Sequence, residues 1–119
     1  MKILVVDDYR TMRRVVRMLL GQLGYDDVVE AADGEAALAA MRAEKIGLVI
    51  SDWNMAPMTG LELLRAVRSD AKLKSTPFLM TVTEGRSDKV IEIREAGVSG
   101  YIVKPFNADM LKEKIASAL

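Results

Sequence analysis

The stretch Leu48-Val49-Ile50-Ser51-Asp52-Trp53-Asn54-Met55 runs an apolar segment into a single carboxylate. The aliphatic residues leading to Ile50 do not alternate with polar ones, which predicts a strand over 47–51 buried on both faces. Asp52 then stands just past its end, and Pro57 to Gly60 turn the chain. In open α/β sheets, ligands bind in the crevice beyond the carboxyl ends of the strands. One acid at such a place serves equally well as a helix cap or a solvated turn residue. A second segment, Lys2-Ile3-Leu4-Val5-Val6, ends the same way, on Asp7-Asp8. If the two strands are neighbours, three carboxylates share one small volume. Two like charges about 5 Å apart repel by roughly 3 kcal/mol at an effective dielectric near 20. Such a cluster raises a pKa or recruits a cation. Hard oxygen donors with open coordination positions suit Mg²⁺.

Outward from this stretch, the pattern alternates strand and helix. After the first strand, Met12, Val15, Val16, Leu19, Leu20 and Leu23 recur at helical spacing, with Arg13, Arg14 and Arg17 on the wet side and Gly24 as the stop. A short strand, Asp27 to Ala31, precedes the Asp33-Gly34 turn and a helix from Glu35 to Ala43 that buries Ala37, Leu38 and Met41. A third helix begins at Gly60 and closes near Ser69-Asp70, and a polar loop leads to a fourth strand, Phe78 to Val82. Glu84-Gly85-Arg86-Ser87 turns into a helix from Asp88 to Ala96, which Gly97 ends. A fifth strand, Tyr101 to Val103, breaks at Lys104-Pro105. The last helix, capped by Asn107, buries Leu111, Ile115 and Leu119. Five strands alternating with five helices predict one α/β domain over 1–119 with a parallel sheet.

Composition excludes much. The 119 residues carry 17 basic and 17 acidic side chains, so no net charge favours nucleic acid or an anionic membrane surface. Cysteine is absent, which removes disulfides and thiolate-zinc sites. Histidine is absent too, so Ser-His-Asp and Cys-His chemistry are unavailable, and any phosphohistidine belongs to another protein. No apolar run approaches the roughly 20 residues of a membrane span, and no signal-peptide layout opens the chain, so a cytoplasmic protein is expected.

Asp7-Asp8, Asp52, a Thr-bearing end of the fourth strand, and Lys104-Pro105-Phe106 together resemble the receiver domain of two-component response regulators, over nearly the whole chain. Within that family, Ser51-Asp52-Trp53-Asn54-Met55, Asp8-Tyr9-Arg10-Thr11-Met12-Arg13-Arg14 and Gly100 to Phe106 look most like the chemotaxis regulators. The resemblance implies a flavodoxin-like (βα)5 doubly wound fold with strand order 2-1-3-4-5. It implies Asp52 as phosphoryl acceptor and Mg²⁺ held by Asp8, Asp52 and the Asn54 backbone carbonyl, with Asp7 beside it. Lys104 would place a positive charge on the phosphoryl oxygens, Tyr101 would be the aromatic switch, and Asn54 and Glu84 would tune dephosphorylation. The implied partners are a sensor histidine kinase as donor and a target, with the flagellar motor switch as first candidate, that binds the last strand and last helices. Such a protein is a monomeric switch rather than a turnover enzyme, although it assists its own phosphorylation and dephosphorylation.

Two places depart from the family pattern. The usual Met-Pro-x-Met-Asp-Gly is here Met55-Ala56-Pro57-Met58-Thr59-Gly60, with proline moved one place. Counting back from Lys104 without a gap, the family's switch Thr/Ser falls on Val82, between Thr81 and Thr83. Alternation puts both threonines on one strand face and Val82 on the other. Thr83, reached by a one-residue deletion in the following loop, is the expected switch hydroxyl. Pro105 suits a cis peptide, since prolyl bonds tolerate this at low cost. Other readings remain: a phosphorelay intermediate, a regulator of another signalling protein such as a kinase or cyclase, a degenerate receiver with a variant switch, a phosphatase of the haloacid dehalogenase type with Asp7 as nucleophile, or a flavodoxin-like carrier. The last two fit poorly. The former wants Asp-x-Asp, and the latter a Ser/Thr/Gly-rich phosphate loop where Asp7-Asp8-Tyr9-Arg10 stands.

Overall fold

In the computed structural model, residues 1–83 and 87–119 are described. The elements are β1 (Ile3–Val6), α1 (Arg10–Gln22), β2 (Val28–Ala31), α2 (Gly34–Ala43), β3 (Leu48–Asp52), α3 (Gly60–Ser69), β4 (Phe78–Val82), α4 (Ser87–Glu95), β5 (Gly100–Val103) and α5 (Ala108–Ala118). All strand pairings are parallel, and the order across the sheet is β2-β1-β3-β4-β5. The doubly wound flavodoxin-like fold expected from the sequence is the observed one.

The three central strands are apolar until their carboxyl ends, where Ser51, Asp52 and Thr81 stand, because helices cover both faces. Leu4, Val6, Val49, Phe78, Met80 and Val82 project into one core with residues of α2, α3 and α4. Ile3, Val5, Leu48, Ile50, Leu79 and Ile102 project into the other, against α1 and α5. A strand buried on both sides has no polar period to show, which is why these segments read as continuous apolar runs.

The helix boundaries follow local chemistry. The Asp33 and Asn107 side chains accept hydrogen bonds from Ala36 N and Met110 N, capping α2 and α5. At α3 the hydroxyl of Thr59 accepts from Glu62 N while the Glu62 carboxylate accepts from Thr59 N, a reciprocal capping box. After α1 and α4 the chain reverses through Gly24 and Gly97, both at φ +90°, where a Cβ is strained.

Three expectations are corrected. Leu119 is 58% exposed rather than buried, because α5 closes at Ala118 and the terminal residue lies beyond the packed face. Arg13 is not on the wet side: its guanidinium lies between β1 and β2, donating to Asp7 O (2.8 Å) and to Glu30 Oε1 (3.1 Å). Asp52 is the last residue of β3, not the first beyond it, since its Cα is in register with Thr81 and Trp53 N still donates to Thr81 O.

Candidate functional site

The order β2-β1-β3 means that the chain leaves β1 in one direction and returns on its other side at β3. This opens the crevice at the carboxyl ends of β1 and β3. Side chains alternate along each strand, so the face that carries Ile3, Val5, Ile50, Leu79 and Ile102 continues, at the strand ends, into Asp7, Asp52, Thr81 and Lys104. Four strands thus each deliver one polar group to the same side of the sheet. Asp8, the next residue after Asp7, is exposed at the rim.

The three acids meet as the sequence suggests. One oxygen each of Asp7, Asp8 and Asp52 lies within 4.8 Å of the others. Asp7 is 4% exposed and Asp52 6%, whereas Asp8 faces solvent. Asp7 accepts a hydrogen bond from Tyr9 N at 2.9 Å. Burial pushes the Asp7 carboxyl above the usual aspartate range; the Tyr9 amide and Lys104 oppose this, and the charges of Asp52 and Asp8 add to it. A cluster of hard, partly desolvated oxygens whose charges resist one another fits a small divalent cation such as Mg²⁺.

Lys104 Nζ stands 2.7 Å from Asp52 Oδ1. The contact is largely buried, with Lys104 reaching across β4 from the end of β5. The Lys104–Pro105 peptide is cis, as the Lys-Pro pair suggests, and so is Ala56–Pro57, where the proline is displaced. Trp53, half-buried just past β3, faces Lys89 of α4 across 5.6 Å. Asn54 is exposed in the turn after β3.

The hydroxyl at the site differs from the one expected. Thr83 is exposed beyond the last residue of β4, whereas Thr81 is 3% exposed and its Oγ1 donates to Asp52 Oδ1 at 3.4 Å. Val82 points to the opposite face, into the core with Ile93 and Val103. Tyr101 is in register with Met80 and lies on that same opposite face, its ring 5.5 Å from Lys114 Nζ. Glu84, expected to tune dephosphorylation, falls outside the described residues, as do Gly85 and Arg86.

Sequence reasoning passed over two neighbours of the site. Arg13 belongs to it through the Asp7 carbonyl, and only the presence of Glu30 on the adjacent β2 explains why a basic side chain turns inward there. Thr81 was visible as sharing a face with Thr83, but which of them opposes Asp52 depends on the β3–β4 register.

A doubly wound parallel sheet with three acids at its switch point, and a lysine against the one at the end of the central strand, is the arrangement of a receiver-type domain. The comparisons agree. The family model of the response regulator receiver domain matches residues 3–116, and the chain belongs to that family. It is 51% identical over 115 residues to the chemotaxis protein CheY of Pseudomonas aeruginosa, covering 97% of this chain and 93% of that one. With the chemotaxis protein CheY-3 of Vibrio cholerae it shares 49% identity over 115 residues, covering 97% and 88%. Among solved structures, the Vibrio cholerae chemotaxis protein CheY4 superposes with a TM-score of 0.92 at 41% identity, covering 99% of this chain and 98% of that one.

Proposed function

We propose that this protein is a chemotaxis response regulator that accepts a phosphoryl group on Asp52 from a histidine kinase and thereby changes its affinity for a partner. The observation that carries the reading is the Lys104–Asp52 contact set against the Asp7-Asp8-Asp52 group. Of the three acids, Asp52 alone stands at the end of the central strand with a cation on one side and two carboxylates on the other.

In the transfer, one Asp52 carboxylate oxygen attacks the phosphorus of a phosphohistidine on the kinase. A P–O bond forms, the P–N bond breaks, and the imidazole leaves with the bonding pair. The phosphoryl group brings negative charge into a place that already holds three carboxylates, so positioning and charge compensation are the main tasks. Mg²⁺, held by Asp8 and Asp52 with Asp7 beside them and the Asn54 carbonyl as a further donor, would neutralise that charge from one side. Lys104 does so from the other, as a compact ammonium already at bonding distance from Asp52. The response is carried to the face built from β5 and its flanking helices, where Tyr101 sits half-buried. The partner is a motor-switch-type target on that face, as the family resemblance implies, and the setting is cytoplasmic.

The test is incubation with Mg²⁺ and acetyl phosphate followed by intact-protein mass. Wild type should gain the mass of one phosphoryl group, and Asp52→Asn should gain none. Full labelling of Asp52→Asn would put the acceptor elsewhere.

A further inference from the structure

Counted back from Lys104 without a gap, the place of the family's switch hydroxyl falls on Val82, whose side chain is buried on the sheet face away from Asp52. Resting on the acceptor role of Asp52, we propose that Thr81 supplies the hydroxyl that contacts the phosphoryl group, from inside β4, and that it does so as a fixed donor.

Three observations carry this. The Cα of Thr81 is in direct register with Asp52, so both side chains leave the sheet on the same side. The Thr81 hydroxyl is buried and within 3.4 Å of Asp52 Oδ1, the same oxygen that Lys104 Nζ approaches at 2.7 Å. A hydroxyl–oxygen bond is best near 2.7–2.8 Å, so the present contact is long. Long hydrogen bonds at unliganded sites commonly tighten once the reacting group arrives. A phosphoryl group on Asp52 would bring further acceptor oxygens to the side of the sheet where the Thr81 hydroxyl stands. Thr83 lacks each of these features, being exposed and past the end of the strand.

Thr81 is also held in place. Its carbonyl accepts from Trp53 N, and its neighbours pair on both sides of β4. Its hydroxyl already stands beside Asp52, so it needs no approach from a distant resting position, and it faces away from Tyr101. The hydroxyl contact and the aromatic rearrangement are therefore on opposite sides of the sheet in this protein. Thr81 serves phosphoryl transfer, and whatever moves Tyr101 passes through Lys104 and β5 instead.

The experiment compares rates of Mg²⁺-dependent labelling by acetyl phosphate in wild type, Thr81→Val, Thr81→Ser and Thr83→Val. In this reaction an Asp52 oxygen forms the P–O bond and acetate leaves with the pair from the broken one. Thr81→Val keeps the shape and loses the hydroxyl, and it should label about tenfold more slowly, the size of one hydrogen bond to a charged group. Thr81→Ser should recover most of the rate, which a merely structural role for the threonine methyl would not produce. Thr83→Val should change the rate less than about twofold on the same scale. Thr81→Ala gives the same comparison if the valine variant does not fold. A wild-type rate in Thr81→Val, or an equal loss in Thr83→Val, overturns the proposal while leaving Asp52 as acceptor. Absence of label on the wild type, by contrast, overturns the acceptor reading itself.

Discussion

Asp7 is a buried carboxylate whose surroundings resist its charge, and that resistance sets a pH dependence. Burial is the largest cause of its raised pKa, with Asp52 and Asp8 adding and the Tyr9 amide and Lys104 opposing. The folded protein therefore holds the Asp7 proton more tightly than the unfolded chain. The associated stability is fully present below the ordinary aspartate range and is lost as pH rises through the raised value. At neutral pH the ionised side chain is a burden on the metal-free fold. Asp7→Asn should raise the melting temperature of metal-free protein at pH 7 by a few degrees, as a change of about 1 kcal/mol does in a domain of this size. The gain should shrink toward pH 4. A variant that melts lower than wild type at pH 7 would show that the Tyr9 and Lys104 contacts outweigh the desolvation. Glu30 behaves oppositely: burial pushes it up, yet hydrogen bonds from Arg17 and Arg13 leave it below the usual glutamate range. Its contribution is present above that range and fades only in acid.

At the scale of elements, α3 shows how closely a helix start is tied to Asp52. Gly60 N donates to Trp53 O at 2.9 Å, and a Cβ at Gly60 would lie 2.2 Å from the Asp52 carbonyl oxygen and 2.9 Å from Trp53 Cα. These are backbone atoms that cannot rotate aside. Gly60→Ala should therefore destabilise by about 1–3 kcal/mol, as overpacking does. It should also depress phosphoryl labelling, because the displaced segment carries Asp52. Thr59→Ala, one residue earlier, loses only the capping box, costs about 1 kcal/mol, and should leave labelling unchanged. Urea unfolding and the labelling rate, measured on the same two variants, separate these effects; labelling lost in both would deny the distinction. The element pattern was legible because aliphatic runs, caps and glycine stops are local signals. The Asp52–Thr81 register was not, since nothing within β4 says how far it slides along β3. Arg13 was misjudged for the same reason: helical spacing places it on an outer face, but β2 brings Glu30 to meet it.

At the scale of the whole molecule, the site exists only when β1, β3, β4 and β5 are assembled, since the end of β1 brings Asp7 and Asp8, the other three strands bring Asp52, Thr81 and Lys104, and a helix separates each strand from the next in sequence. Strand-end acids could be counted in the sequence, and the order of the sheet followed from the family resemblance. Their convergence within 4.8 Å is a property of the fold. A cation held by this group would therefore be linked to folding. A cation that binds the assembled group and not the unfolded chain stabilises the native state by RT ln(1 + [Mg²⁺]/Kd), about 1.4 kcal/mol at ten times Kd. Millimolar Mg²⁺ should accordingly move the urea midpoint upward, and Asp8→Ala, which removes the exposed member of the group, should abolish most of that shift. General screening would also ease repulsion among the three carboxylates, so the comparison is made at matched ionic strength with NaCl. A shift that NaCl reproduces in full, or that persists undiminished in Asp8→Ala, would mean that the acids are relieved by screening alone and do not hold the ion.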